Sequence, residues 1–216
     1  MSKTIDERLA EGRQYRDIDI GAFEHRSEDD GKKIVRGYAS TFNSPYLLWK
    51  DGNYEVWEQI DARAFDNADM SDVIMQYDHV GRVFARRSNG TLAVRTDDVG
   101  LAIEADLSGT ELGRQLYEEI DGGYTTKMSF GFTVAEDKRD VEEDHETGKV
   151  RVMRTVSAIS RLWDVSAVSL PANNATYISA RSYCEGVIAE AAEEIRKRRE
   201  ADALRKRIKI KLEAMK

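Results

Sequence analysis

Short apolar stretches cut off by turn residues fill the middle of this chain, and they leave room for little but a sheet protein. Residues 33–42 (KIVRGYASTF) are rich in β-branched and aromatic side chains and stop at the turn signal Asn43-Ser44-Pro45. Residues 73–79, 82–87, 91–96 and 101–107 repeat the pattern, separated by glycine or aspartate-rich turns. Residues 17–23 alternate, with Ile18 and Ile20 on one side, and strands are expected again at 127–134, 149–159 and 160–170. The stretch 136–149 (EDKRDVEEDHETGK) is too charged for a core and reads as a loop. One helix interrupts the strands. Ser108 caps it, Glu111 reaches back in a capping box, Leu112, Leu116 and Ile120 form its buried face, and Gly122-Gly123 stops it. The expectation is an α+β, mainly β protein: a small closed β-barrel with helices packed outside.

The last part of the chain follows other rules. Residues 181–216 carry 11 Lys/Arg against 7 Asp/Glu, a net of +4, so the rest, with 22 against 33, carries −11. No proline follows Pro171 and no glycine follows Gly186. This reads as a charged helix hung on a compact body, with Leu204, Ile208 and Leu212 forming one narrow stripe. Three parts are therefore expected: a polar arm (1–16), a body (17–180) and the charged tail (181–216). The acidic balance of −7 argues against a general nucleic-acid binder. A single cysteine, Cys184, excludes a disulfide framework and leaves no cysteine zinc site to expect. No apolar run reaches the ~18–20 residues of a membrane span. The polar start MSKTIDERLAEGRQYR has no signal-peptide core, so a soluble protein of a reducing compartment is expected, without cofactor or metal.

Three residues stand out chemically. His25 and His145 lie in polar, turn-like segments, whereas His79 follows the apolar run VIMQY and precedes Val80-Gly81-Arg82. A rigid strand end can present such a histidine to a cleft, or backbone groups can simply satisfy it. Ser129 sits in the short aromatic strand KMSFGF; Lys127 stands where a nucleophile elbow needs glycine, which argues against an α/β-hydrolase. It is either a small polar filler or, with His79, a nucleophile and its base. Asp164 lies in a strand apolar on both faces, where a carboxylate needs a partner: an imidazole, or Arg161 in a structural ion pair.

Several segments resemble the prohead maturation protease family of tailed bacteriophages, serine peptidases distantly similar to herpesvirus assemblins. They are VRGYASTFN, YDHVGRVFAR, TDDVGLAIEADL, KMSFGF and WDVSAVSLPANNAT, in that order between about residues 33 and 180. Two departures are visible: Asn174 after PAN, and Lys127-Met128 before the serine. The resemblance implies an assemblin-like barrel, with Ser129 as nucleophile and His79 as base. Asp164 is the choice for the third, orienting member, with Asp97 or Asp98 as alternatives. Backbone donors near Ser129, with an arginine such as Arg82 or Arg161, would serve the oxyanion. The resemblance also implies what is cleaved. Scaffold or the major capsid protein's N-terminal extension would be cut inside the immature shell, in the host cytoplasm, and the enzyme would cut itself. A homo-oligomer stays open, and no specific nucleic acid or membrane partner is expected. A catalytically silent capsid-interior protein of the same fold is the alternative.

Overall fold

The computed structural model describes residues 4–18, 24–27, 31–168 and 174–213. A short helix α1 (Ile5–Ala10), capped by Thr4, leads into β1 (Arg13–Ile18). Then come β2 (Glu24–Ser27), β3 (Lys33–Thr41), β4 (Tyr46–Asp51), β5 (Tyr54–Ile60), β6 (Ile74–Tyr77), β7 (Val80–Arg86), β8 (Leu92–Thr96) and β9 (Gly100–Asp106). Helix α2 (Glu111–Asp121) precedes two long strands, β10 (Lys127–Glu143) and β11 (Val150–Val168), and α3 (Asn174–Glu213) closes the chain.

These elements make a mainly β α+β fold, but the sheets are not closed. One sheet runs β1-β10-β11-β5-β4, with the β6–β7 hairpin added to the far end of β11; the other runs β2-β3-β9-β8. Closure would need a ladder between the two. Among the described residues only the bridge Phe42–Ile60 joins them, so the expected closed barrel gives way to two open sheets packed face to face. Val35, Leu101 and Ile103 of the smaller sheet meet Phe130, Phe132, Val156 and Val165 of the larger one, with Leu116, Tyr117 and Ile120 of α2 closing the side.

Local chemistry accounts for the other departures. Helix α2 is capped by Thr110, which accepts from the Gly113 amide, not by Ser108. The charged stretch at 136–149 is mostly strand: β10 and β11 pair out to Glu143 and Val150, and the turn is confined to the residues between. Its side chains are charged because this end of the hairpin projects beyond the core between the sheets. The expected boundaries at 16/17 and 180/181 fall inside β1 and inside α3. The strand expected at 17–23 lies largely outside the described residues.

Helix α3 has two halves. Cys184, Val187, Ala191 and Ile195 are buried against Val56, Val150 and Val152. Beyond them Leu204, Ile208, Ile210 and Leu212 are exposed. Between this small core and the main one lies a buried ion cluster. Arg16 grips Glu58 through two bonds of 2.5 and 3.0 Å, Arg154 adds a third at 2.6 Å, and the Tyr46 hydroxyl a fourth at 2.5 Å. Burial alone would raise the Glu58 pKa, but the Arg16 and Arg154 charges outweigh it and hold the carboxyl down at about 2.

Candidate active site

Ser129 lies on β10 and faces away from the core-lining Met128, Phe130 and Phe132, as the two-residue period of a strand requires. On β11 Ser166 stands opposite Ser129, and Asp164 opposite Gly131. That glycine is needed: a Cβ there would come within 2.4 Å of Asp164 Oδ2 and 2.9 Å of the Tyr15 ring. A glycine inside a strand often marks such a close approach.

His79 arrives from the third side. Tyr77 pairs with Val80, so Asp78 and His79 form a two-residue hairpin turn, with φ of 48° and 60°. Left-handed geometry at both positions matches a type I′ turn, usually filled by Asn-Gly. Placing histidine there costs on the order of 1 kcal/mol, a strain that clusters at functional sites. The β6 ladder to β11 carries the turn to the face that holds Ser129 and Asp164, and the Asp78 amide bonds the Ala167 carbonyl at 3.0 Å.

The three side chains meet. His79 Nδ1 hydrogen-bonds Asp164 Oδ1, and Nε2 lies 2.5 Å from Ser129 Oγ. The Ser166 hydroxyl donates to the same Asp164 oxygen at 3.0 Å, and Arg13 Nη1 stands 3.7 Å from Oδ2. Burial pushes the Asp164 pKa up, but the electrostatic attraction and hydrogen bond of the His79 ring, helped by Arg13 and Ser166, bring it below the usual carboxylate value. Asp164 therefore stays an acceptor, which fixes the Nδ1–H tautomer and leaves Nε2 free to take a proton from Ser129. All three residues are 0% exposed.

The other sequence candidates are elsewhere. Arg161 pairs with Asp69 at 3.4 Å and lies over the Trp163 ring, so it is Asp164's partner neither in an ion pair nor in this cluster. Arg82 is exposed on β7. Asp97 caps its own turn, accepting from Val99 and Gly100 and from the Tyr38 hydroxyl; Asp98 is exposed. His145 is exposed, and the side chain of His25 lies outside the described residues. Among the described residues no group of three or more His, Cys, Asp and Glu could hold a metal ion. A surface cleft lined by Val141, Glu143, His145, Arg151, Arg198 and Arg199 lies at the far end of the hairpin and includes none of the three site residues.

Residues 21–188 match the family model of the caudovirus prohead serine proteases, and this span holds His79, Ser129 and Asp164. The chain belongs to that family. Its role is that of a capsid maturation protease, as the motif resemblance implied. No curated protein matches the chain. Among solved structures the bacteriophage T4 capsid assembly protease, gp21, is similar at 10% identity and a TM-score of 0.41, over 74% of this chain and 99% of that one. Sequence reasoning missed the residues of the protease that surround the cluster: Arg13, Tyr15, Gly131 and Ser166. Gly131 alone carried a readable signal, a glycine set between two phenylalanines in a strand.

Proposed function

We propose that the protease is a serine endopeptidase in which Ser129 is the nucleophile, His79 the general base and Asp164 the residue that orients it. The observation that carries this reading is the unbroken chain from Asp164 Oδ1 through the imidazole to Ser129 Oγ, whose last link is 2.5 Å. Nε2 takes the hydroxyl proton as Oγ attacks the peptide carbonyl carbon, and the imidazolium returns that proton to the leaving amine. Water, deprotonated by the same nitrogen, then hydrolyses the acyl-serine. Asp164 holds the tautomer and offsets the charge on the ring.

The substrates in this reading are the major capsid protein or its scaffold extension, met inside the immature shell, together with the protease's own tail. Residues 180–195 pack on the body, so self-trimming falls beyond about Ile195, where the helix has little buried surface left to unfold. The test is incubation of the cognate capsid protein with the unmodified chain and with Ser129→Ala, followed by mass analysis. Discrete capsid fragments and a shortened protease are expected from the first alone. Fragments from both would move the nucleophile elsewhere, and fragments from neither inside a competent prohead would favour a catalytically silent capsid-interior protein.

A further inference from the structure

A protease site must admit a peptide, yet this one is sealed, and what seals it is the chain's own N-terminal segment. Strand β1 pairs antiparallel with the part of β10 that carries the nucleophile, with Asp17 opposite Ser129 and Arg16 opposite Phe130. The Ser129 hydroxyl lies 3.0 Å from the Arg16 carbonyl oxygen. The Tyr15 ring covers the His79 imidazole at 4.4 Å between centroids. From α1, Arg8 Nη1 donates to the His79 carbonyl at 2.9 Å. The covering residues Arg8, Tyr15, Arg16 and Asp17 all precede residue 21, where the family match begins.

We infer that residues 13–18 occupy the strand position of the peptide substrate, so that the resting protease is blocked by its own arm and becomes active when β1 leaves β10. This rests on the reading of Ser129 as nucleophile. An extended peptide gains main-chain hydrogen bonds by adding to an open sheet edge, and the edge next to Ser129 is the one β1 holds. The arm is bound as a blocker. Its Arg16 carbonyl turns the oxygen, not the carbon, towards Oγ, and it competes with His79 Nε2 for the single hydroxyl proton.

The arm can leave without dismantling the body. Beside its ladder to β10 it is held by the Arg16–Glu58 pair on the opposite face, and Glu58 keeps Arg154 and Tyr46 when Arg16 withdraws. Tyr15 is fully buried, but its hydroxyl finds no hydrogen-bond partner among the described residues, so the cover fits imperfectly. Tethered to the body, β1 sees its groove at an effective concentration on the order of millimolar. A dilute peptide loses that competition, whereas protein packed into a shell can win it.

The test is a reversible lock in the full chain. Arg13 and Thr133 stand opposite each other in the ladder, so Arg13→Cys with Thr133→Cys can join β1 to β10 by a disulfide; Cys184 is buried and stays out of the exchange. A fluorophosphonate that reacts with activated serines is the probe, read by mass at Ser129. Oxidation should slow labelling about tenfold or more against the reduced form of the same double variant, because the rate follows the open fraction, and Arg16→Ala should speed labelling of the otherwise unmodified chain by a similar factor. Equal labelling of Ser129 in locked, reduced and Arg16→Ala forms overturns the inference and leaves the nucleophile in place. No labelling of Ser129 in any form, Arg16→Ala included, overturns the catalytic reading itself.

Discussion

Strands β1, β10 and β11 carry a buried polar cluster on each face, and the two are built on opposite terms. On one face Glu58 receives bonds from Arg16, Arg154 and Tyr46, while the Gln14 carbonyl accepts from both arginines at 2.9 Å. On the other, Asp164 Oδ2 and the Tyr15 hydroxyl find no hydrogen-bond partner among the described residues, and His79 sits at a positive φ. The first cluster is saturated and holds elements together. The second is left short of partners, which suits the proposed role of moving protons and receiving a substrate. Burial therefore does not by itself say what a charged group is for; the count of satisfied atoms around it does.

Mutation should separate the two clusters, most strongly through Glu58. Glu58→Ala leaves Arg16 buried without a carboxylate and Arg154 with Asp137 alone, and should cost about 3–5 kcal/mol in chemical denaturation. Acid sharpens the same point. The Glu58 pKa falls from 4.5 to about 2 on folding, so its contribution is complete above pH 4.5 and is lost as pH drops towards 2, a difference of roughly 3 kcal/mol. Melting temperature followed from pH 5 to 2 should fall steeply in the unmodified chain and much less in Glu58→Gln; parallel curves would remove Glu58 from the explanation.

Gly131→Ala probes the opposite face. Its Cβ has to push the Asp164 carboxylate aside, and a displacement of ~1 Å at a catalytic group costs about 10²-fold in turnover. Capsid-protein cleavage should show that drop while the fold persists; unchanged turnover would mean that the position of Asp164 does not matter. The smallest effect belongs to the end of α3. Removing residues after 200 takes away an exposed stretch and should shift unfolding by under ~0.5 kcal/mol, whereas Ile195→Ala, in the packed half, should cost about 2 kcal/mol or more.

The sequence made some parts of this molecule readable and hid others for a physical reason. Strands β3, β8 and β9 and the apolar face of α2 were legible because their inward positions are apolar, and His79, Ser129 and Asp164 stood out as polar groups in apolar runs. Strands β4 and β5 were not expected, since Glu58 occupies an inward position between Val56 and Ile60 and breaks the alternation. Strand β1 was hidden in the same way by Arg16. Both failures come from one ion cluster, because pairing on strands distant in sequence is what makes those charges tolerable inside. The open sheets were beyond strand counting, which says how many strands there are but not which edges meet.

Turnover and stability measured together on Asp164→Asn test the central claim most directly. Asparagine keeps the shape of the side chain but favours the wrong imidazole tautomer, so turnover on capsid protein should fall by about 10⁴-fold, with the melting temperature within a few degrees of the unmodified chain. A folded Asp164→Asn protein that cleaves at near-normal rate would show that the Asp164–His79–Ser129 chain is not the catalytic device.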